Sequence, residues 1–99
     1  MSETPKMDLT SASPPANFSP ERQALWWLKK GNLSLGPEWQ KAHEICQSFE
    51  GEKTHDWIHA LCHLIERDYG NAAYWFRRAG KPSNTRDAEK VWQEIAETA

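Results

Sequence analysis

His55-Asp-Trp-Ile-His-Ala-Leu-Cys-His-Leu-Ile-Glu-Arg-Asp-Tyr-Gly-Asn-Ala-Ala-Tyr-Trp-Phe-Arg-Arg-Ala-Gly80 is the stretch whose reading decides the fold. Its apolar residues keep a helical period: Trp57, Leu61 and Leu64 recur at i, i+4 and i+7, and Ile58 and Ile65 widen that face. At roughly 100° per residue they centre on one side of a helix. His59, His63 and Glu66 fall almost opposite, with His55 and Cys62 on their flank. A second helix is expected from Asp68, whose carboxylate can accept the free amides of a first turn. Ala72, Trp75, Phe76 and Ala79 form its apolar stripe, Arg77 and Arg78 suit its C-terminus, and Gly80 and Pro82 stop it. The stretch predicts a helical hairpin.

Upstream, Ser19-Pro20-Glu21 combines a cap, a proline at the first helical position and an acid in the first turn. Ala24, Leu25 and Leu28 give that helix its apolar face, with Trp26 and Trp27 on either side. Lys29, Lys30 and Gly31 end it, with Gly31 read as the residue able to take a positive φ. Pro37 opens the next helix, whose stripe is Trp39, Ala42, Ile45, Cys46 and Phe49, and Glu50-Gly51 closes it. Downstream, Ser83, Asn84 and Thr85 are cap candidates for a last amphipathic helix carrying Ala88, Val91, Trp92 and Ile95. The expectation is an all-α chain of five helices near 19–30, 37–49, 55–66, 68–79 and 85–97. These make one domain over 19–99: a hairpin at 19–50, a hairpin at 54–80 and a closing helix. Residues 1–18, rich in Ser, Thr, Pro and Ala, are expected to be a disordered tail.

A chain of 99 residues allows one small domain. Six tryptophans supply large buried areas to a core too small to rely on aliphatic residues alone. A net charge of −2 leaves no cationic surplus for neutralising phosphates, which argues against nucleic-acid binding. No apolar run approaches the roughly 20 residues that span a bilayer, and the N-terminus lacks an apolar signal core, so neither membrane insertion nor secretion is expected. Cys46 and Cys62 each fall within a helix, and reduced thiols in a cytoplasmic protein are the simpler reading.

Trp39 to Ala42 and Tyr69 to Ala72 align at an offset of 30 residues, and the same offset pairs Cys46 with Phe76 and Phe49 with Ala79. A period in this range points to stacked helical hairpins. The pattern resembles tetratricopeptide and Sel1-like repeats, most closely across Asp68-Tyr69-Gly70-Asn71-Ala72, Phe76, Ala79 and Pro82. The resemblance implies a TPR-like array. From about Glu21 to Pro82 the chain also resembles a family of small uncharacterised bacterial helical proteins. The carrying residues are Ala42-His43, Trp57-Ile58-His59-Ala60-Leu61-Cys62-His63 and Asn71-Ala72-Ala73-Tyr74-Trp75-Phe76-Arg77-Arg78-Ala79-Gly80. It departs from that pattern at Leu64 and Arg67, and the resemblance brings no activity with it.

His59 and His63, at i and i+4, project two imidazoles from one helical face, the spacing used for metal ligation. His43, Cys62 or Glu66 could supply a third ligand. Ala60 stands where a metalloprotease helix carries its catalytic Glu. A nucleophilic enzyme would need Cys46 or Cys62 activated by a histidine, yet Leu61 and Leu64 surround Cys62 with packing residues. The five glycines stand singly, so no phosphate-cradling loop is present. Arg77, Arg78 and Lys81 form a small basic cluster beside Tyr74 and Trp75 that suits an anionic group or simply the end of a helix.

The leading expectation is therefore a non-enzymatic module without a cofactor that binds a protein or peptide. Its surface would be the stripe of His55, His59, His63 and Glu66, with Arg77 and Arg78 at the rim. The alternative is a protein that binds zinc or another divalent transition metal through His59, His63 and His43.

Overall fold

Each helix begins where the sequence supplies an oxygen, or removes a donor, for the unsatisfied amides of a first turn. In a computed structural model that describes residues 7–99, α1 (Pro20–Lys30) is capped by Ser19, whose side chain accepts from the Arg22 amide. The next helix, α2 (Pro37–Ser48), has no side-chain cap and relies on Pro37 at its first position. Glu52 caps α3 (Lys53–Ile65) by accepting from the amides of Thr54 and His55. Asp68 caps α4 (Tyr69–Arg78) as the sequence predicts. For α5 (Ala88–Thr98) the cap is Asp87, which accepts from the Lys90 amide. The helix thus starts three residues later than the expected 85, because Thr85 spends its hydroxyl on the Asp87 amide instead. Among the described residues there is no strand, and no helix is long and apolar enough to cross a membrane.

The described residues form an all-α fold of five helices, and α3 is its axis. The pairs α1–α2 and α3–α4 form the two expected hairpins, and α3 also packs on α1, α2 and α5. Trp57, Leu61, Trp75, Phe76 and Trp92 are all buried, as the periodicity requires. The Trp92 indole, deep in this core, donates to the Leu25 carbonyl at 2.9 Å and so ties α5 to α1. Because α5 lies on α3 and α1 rather than on α4, it folds back across the two hairpins instead of extending them as a third stacked unit. The 30-residue offset holds where both members are buried (Ala42 with Ala72, Cys46 with Phe76) and fails at Phe49, which is 42% exposed while Ala79 is buried.

The α1–α2 turn needs its glycine for space. Gly31 sits at φ −83°, and the left-handed residues are Asn32 and Leu33. A Cβ on Gly31 would lie 2.8 Å from the Glu38 Cβ, so its missing side chain lets the first turn of α2 approach α1. The composition of residues 1–18 suggests a tail, yet Met7 to Leu9 lie along α1. The wholly buried Trp26 needs an acceptor for its indole N–H and finds the Asp8 carbonyl at 2.9 Å, and Lys30 donates to the carbonyl of Leu9. The part of that expectation covering residues 1–6 lies outside the described residues.

Candidate metal centre

In the stripe His55, His59, His63 the first two side chains are buried and the third is half-buried. With neighbours on every side, α3 is buried from His55 through Cys62, and His55 and His59 are 2% and 3% exposed. This corrects the expectation of a histidine binding face. Helical periodicity separates polar from apolar sides, but a polar side turns inward when a neighbouring helix brings polar partners to it. Here the partners are His43 of α2, Glu21 of α1 and the carboxylates of Glu52 and Glu66.

Two tryptophans build the histidine cluster. Trp39, one turn before His43, stacks on that imidazole with ring centroids 4.9 Å apart and planes 9° from parallel. The same indole donates to the Cys62 carbonyl at 2.9 Å, which pins α2 against α3 and swings His43 toward His59 and His63. From α4, Trp75 lies on His59 at 3.9 Å and 17°. The three imidazoles then crowd together: His43 and His59 have centroids 4.7 Å apart, His43 and His63 5.4 Å, His59 and His63 4.9 Å. One ligand atom from each of the three lies within 4.8 Å of the other two. Imidazoles sharing one tetrahedral ion at about 2.0–2.1 Å have centroids roughly 5 Å apart. The observed spacing fits that requirement.

The donor chemistry fits as well. His43 Nε2 and His59 Nδ1 are buried without a hydrogen-bond partner among the described protein groups. Each such nitrogen costs about 1–3 kcal/mol in a folded chain, and one shared cation would satisfy both. His63 pairs its Nδ1 with the Glu66 carboxylate, which leaves Nε2 as its free ligand atom. A carboxylate on the far nitrogen is the usual outer partner of a metal-binding histidine, where it fixes the tautomer and raises the basicity. Burial, reinforced by His43, His63 and Arg78, drives the pKa of His59 down to about 3, and burial followed by the His63 charge lowers that of His43. Both imidazoles are therefore neutral at pH 7, the form that ligates.

Cys46 and Cys62 are buried free thiols, and burial together with the neighbouring Cys46 pushes the Cys62 thiol well up. A thiol held protonated is neither a ready ligand nor an activated nucleophile. Glu66 is paired with His63, so the candidate ligand set is the three histidines. At the rim, Arg77 is exposed, while Arg78 is bound into the fold: it donates to the Tyr74 hydroxyl at 3.1 Å, covers the Trp75 ring and stands 3.8 Å from the buried Asp56 carboxylate. Asp56 in turn accepts from the Gly51 amide. Sequence reasoning finds all three histidines but misses Trp39, Trp75 and Asp56 as their supports. The i, i+4 spacing of Trp39 and His43 was the available signal.

No protein-family model, curated protein or solved structure matches this chain.

Proposed function

We propose that this protein binds a divalent transition metal, with His43, His59 and His63 as ligands and Glu66 as the outer carboxylate on His63. The observation that supports it best is the pair of buried, unpartnered ring nitrogens on His43 and His59, in a cluster whose ligand atoms lie within 4.8 Å. Three imidazole ligands suit Zn, Cu, Ni or Co rather than Mg or Ca. Among the described residues, the carboxylates beside His63 are Glu66, paired with its Nδ1, and Asp68, which caps α4, so we read the site as binding rather than catalytic. An ion there would join α2 to α3, and its binding energy would add to the stability of the helical assembly. Free buried thiols fit a reducing compartment, and we place the protein in the cytoplasm.

The protein-partner reading loses the centre of its surface, since His55 and His59 are buried, and keeps half-buried His63 and Glu66 with exposed Arg77 and Arg78 at the rim.

Thermal unfolding with and without Zn2+ tests the metal reading. A saturating ligand at 100 times its Kd adds about 2.7 kcal/mol, so the metal-free protein should melt several degrees lower than the loaded one. His59→Gln and His63→Gln should each abolish the shift seen at micromolar Zn2+. An unchanged shift in both variants would overturn the assignment.

A further inference from the structure

We infer that the chain carries a second, separate cation site at the N-terminal ends of α1 and α3, formed by His55 and Glu21 with Glu52 as the outer carboxylate. The site shares no residue with the three-histidine cluster and does not depend on it.

Three observations point there. His55 is almost fully buried, and its Nε2 has no hydrogen-bond partner among the described protein groups. That nitrogen faces the Glu21 carboxylate at 3.7 Å, beyond hydrogen-bonding distance and close to the separation of two atoms that share an ion. The other ring nitrogen, Nδ1, is paired with Glu52, whose two oxygens are already anchored by the amides of Thr54 and His55. A fixed carboxylate on Nδ1 orients the ring and points Nε2 toward Glu21. A cation between Nε2 and the Glu21 carboxylate would give both a partner.

The arrangement repeats the logic of His63, one face of the same helix further on. In each, a glutamate three residues away in sequence occupies Nδ1 and frees Nε2 toward a group from a preceding helix. One ligand atom each from Glu21, Glu52 and His55 lies within 4.8 Å of the others. Phe49 stacks on the ring at 4.5 Å and 18°, which restricts its rotation. The donor set differs from that of the first site: one imidazole and a partly exposed carboxylate suit a harder ion such as Mn2+ as well as Zn2+.

The experiment uses Mn2+ alone as the probe, on the full chain carrying His59→Gln so that the three-histidine site is disabled. Loss of the free-ion electron paramagnetic resonance signal reads the bound fraction. One equivalent should bind, and adding Glu21→Gln should weaken binding about tenfold or more while circular dichroism stays unchanged. If His59→Gln does not fold, the comparison moves to Zn2+ stoichiometry of the native sequence against Glu21→Gln alone, where two equivalents should fall to one. Folded His59→Gln protein that takes up no Mn2+, or uptake indifferent to Glu21→Gln, overturns the inference and leaves a proton as the bridge between His55 and Glu21. The two sites fail separately: a Zn2+ equivalent lost with His59→Gln but never with Glu21→Gln keeps only the first, and the reverse keeps only the second.

Discussion

Trp75 lies flat on His59, with ring centroids 3.9 Å apart and planes 17° from parallel. The contact joins the core of the α3–α4 hairpin to the candidate metal ligands. It places a large apolar surface against the imidazole, which keeps water away and holds the ring neutral. Packing and ligation therefore meet in one pair of side chains.

Replacing Trp75 by Ala should cost about 3–5 kcal/mol in urea unfolding, the usual range for deleting a large buried aromatic. It should also raise the depressed pKa of His59, since burial is the first cause of that depression. A loss under about 1 kcal/mol would mean that the indole does not support the hairpin.

Trp39 makes a smaller but more directed contribution. Trp39→Phe keeps a ring to stack on His43 and removes the indole bond to the Cys62 carbonyl. Stability should fall by about 1 kcal/mol, and Zn2+ affinity by about 10-fold or more, because His43 is no longer held against α3. Isothermal titration with Zn2+ checks the second effect, and unchanged affinity would remove Trp39 from the site.

The metal-free protein should lose stability in mild acid. His59 has its folded pKa depressed to about 3 against 6.5 for a free histidine. Above pH 6.5 the ring is neutral folded and unfolded, so it adds no pH dependence. Between 6.5 and 3 the unfolded chain takes up a proton that the native one refuses, and stability falls with pH by up to about 1.4 kcal/mol per unit. Urea midpoints across this range should decline in the native sequence and decline less steeply in His59→Gln. Equal slopes in the two proteins would show that His59 is not held neutral by the fold.

Gly31→Ala should destabilise the protein by about 1–3 kcal/mol through collision with Glu38, since φ at this position suits alanine. Adding Glu38→Gly to Gly31→Ala should restore part of the loss in thermal unfolding. If the single change is neutral, the first turn of α2 is free to move away.

Much of this architecture is written in local patterns. Ser19, Pro20, Pro37 and Asp68 start three helices where their chemistry says they should, and the apolar stripes of α3, α4 and α5 identify the core tryptophans. What periodicity cannot tell is how many sides of a helix are covered. The polar side of α3 was legible as a side but not as an interior, because that depends on α1 and α2 bringing Glu21 and His43 to it. The direction of α5 was hidden for the same reason: one apolar stripe fits α4 or α1, and the bond from Trp92 to the Leu25 carbonyl decides for α1. The His59–His63 spacing pointed to a metal pair, whereas the third imidazole came from 16 residues earlier through a tryptophan hinge.

His43 offers the sharpest test of the three-histidine centre, because it is only half-buried and lies outside α3, so its removal leaves the central helix intact. Native mass spectrometry of His43→Ala at neutral pH, with one and two equivalents of Zn2+, reads the stoichiometry directly. The centre predicts that the tighter Zn2+ equivalent of the native sequence disappears while circular dichroism stays the same. A His43→Ala protein that holds this equivalent as tightly as the native sequence would contradict it.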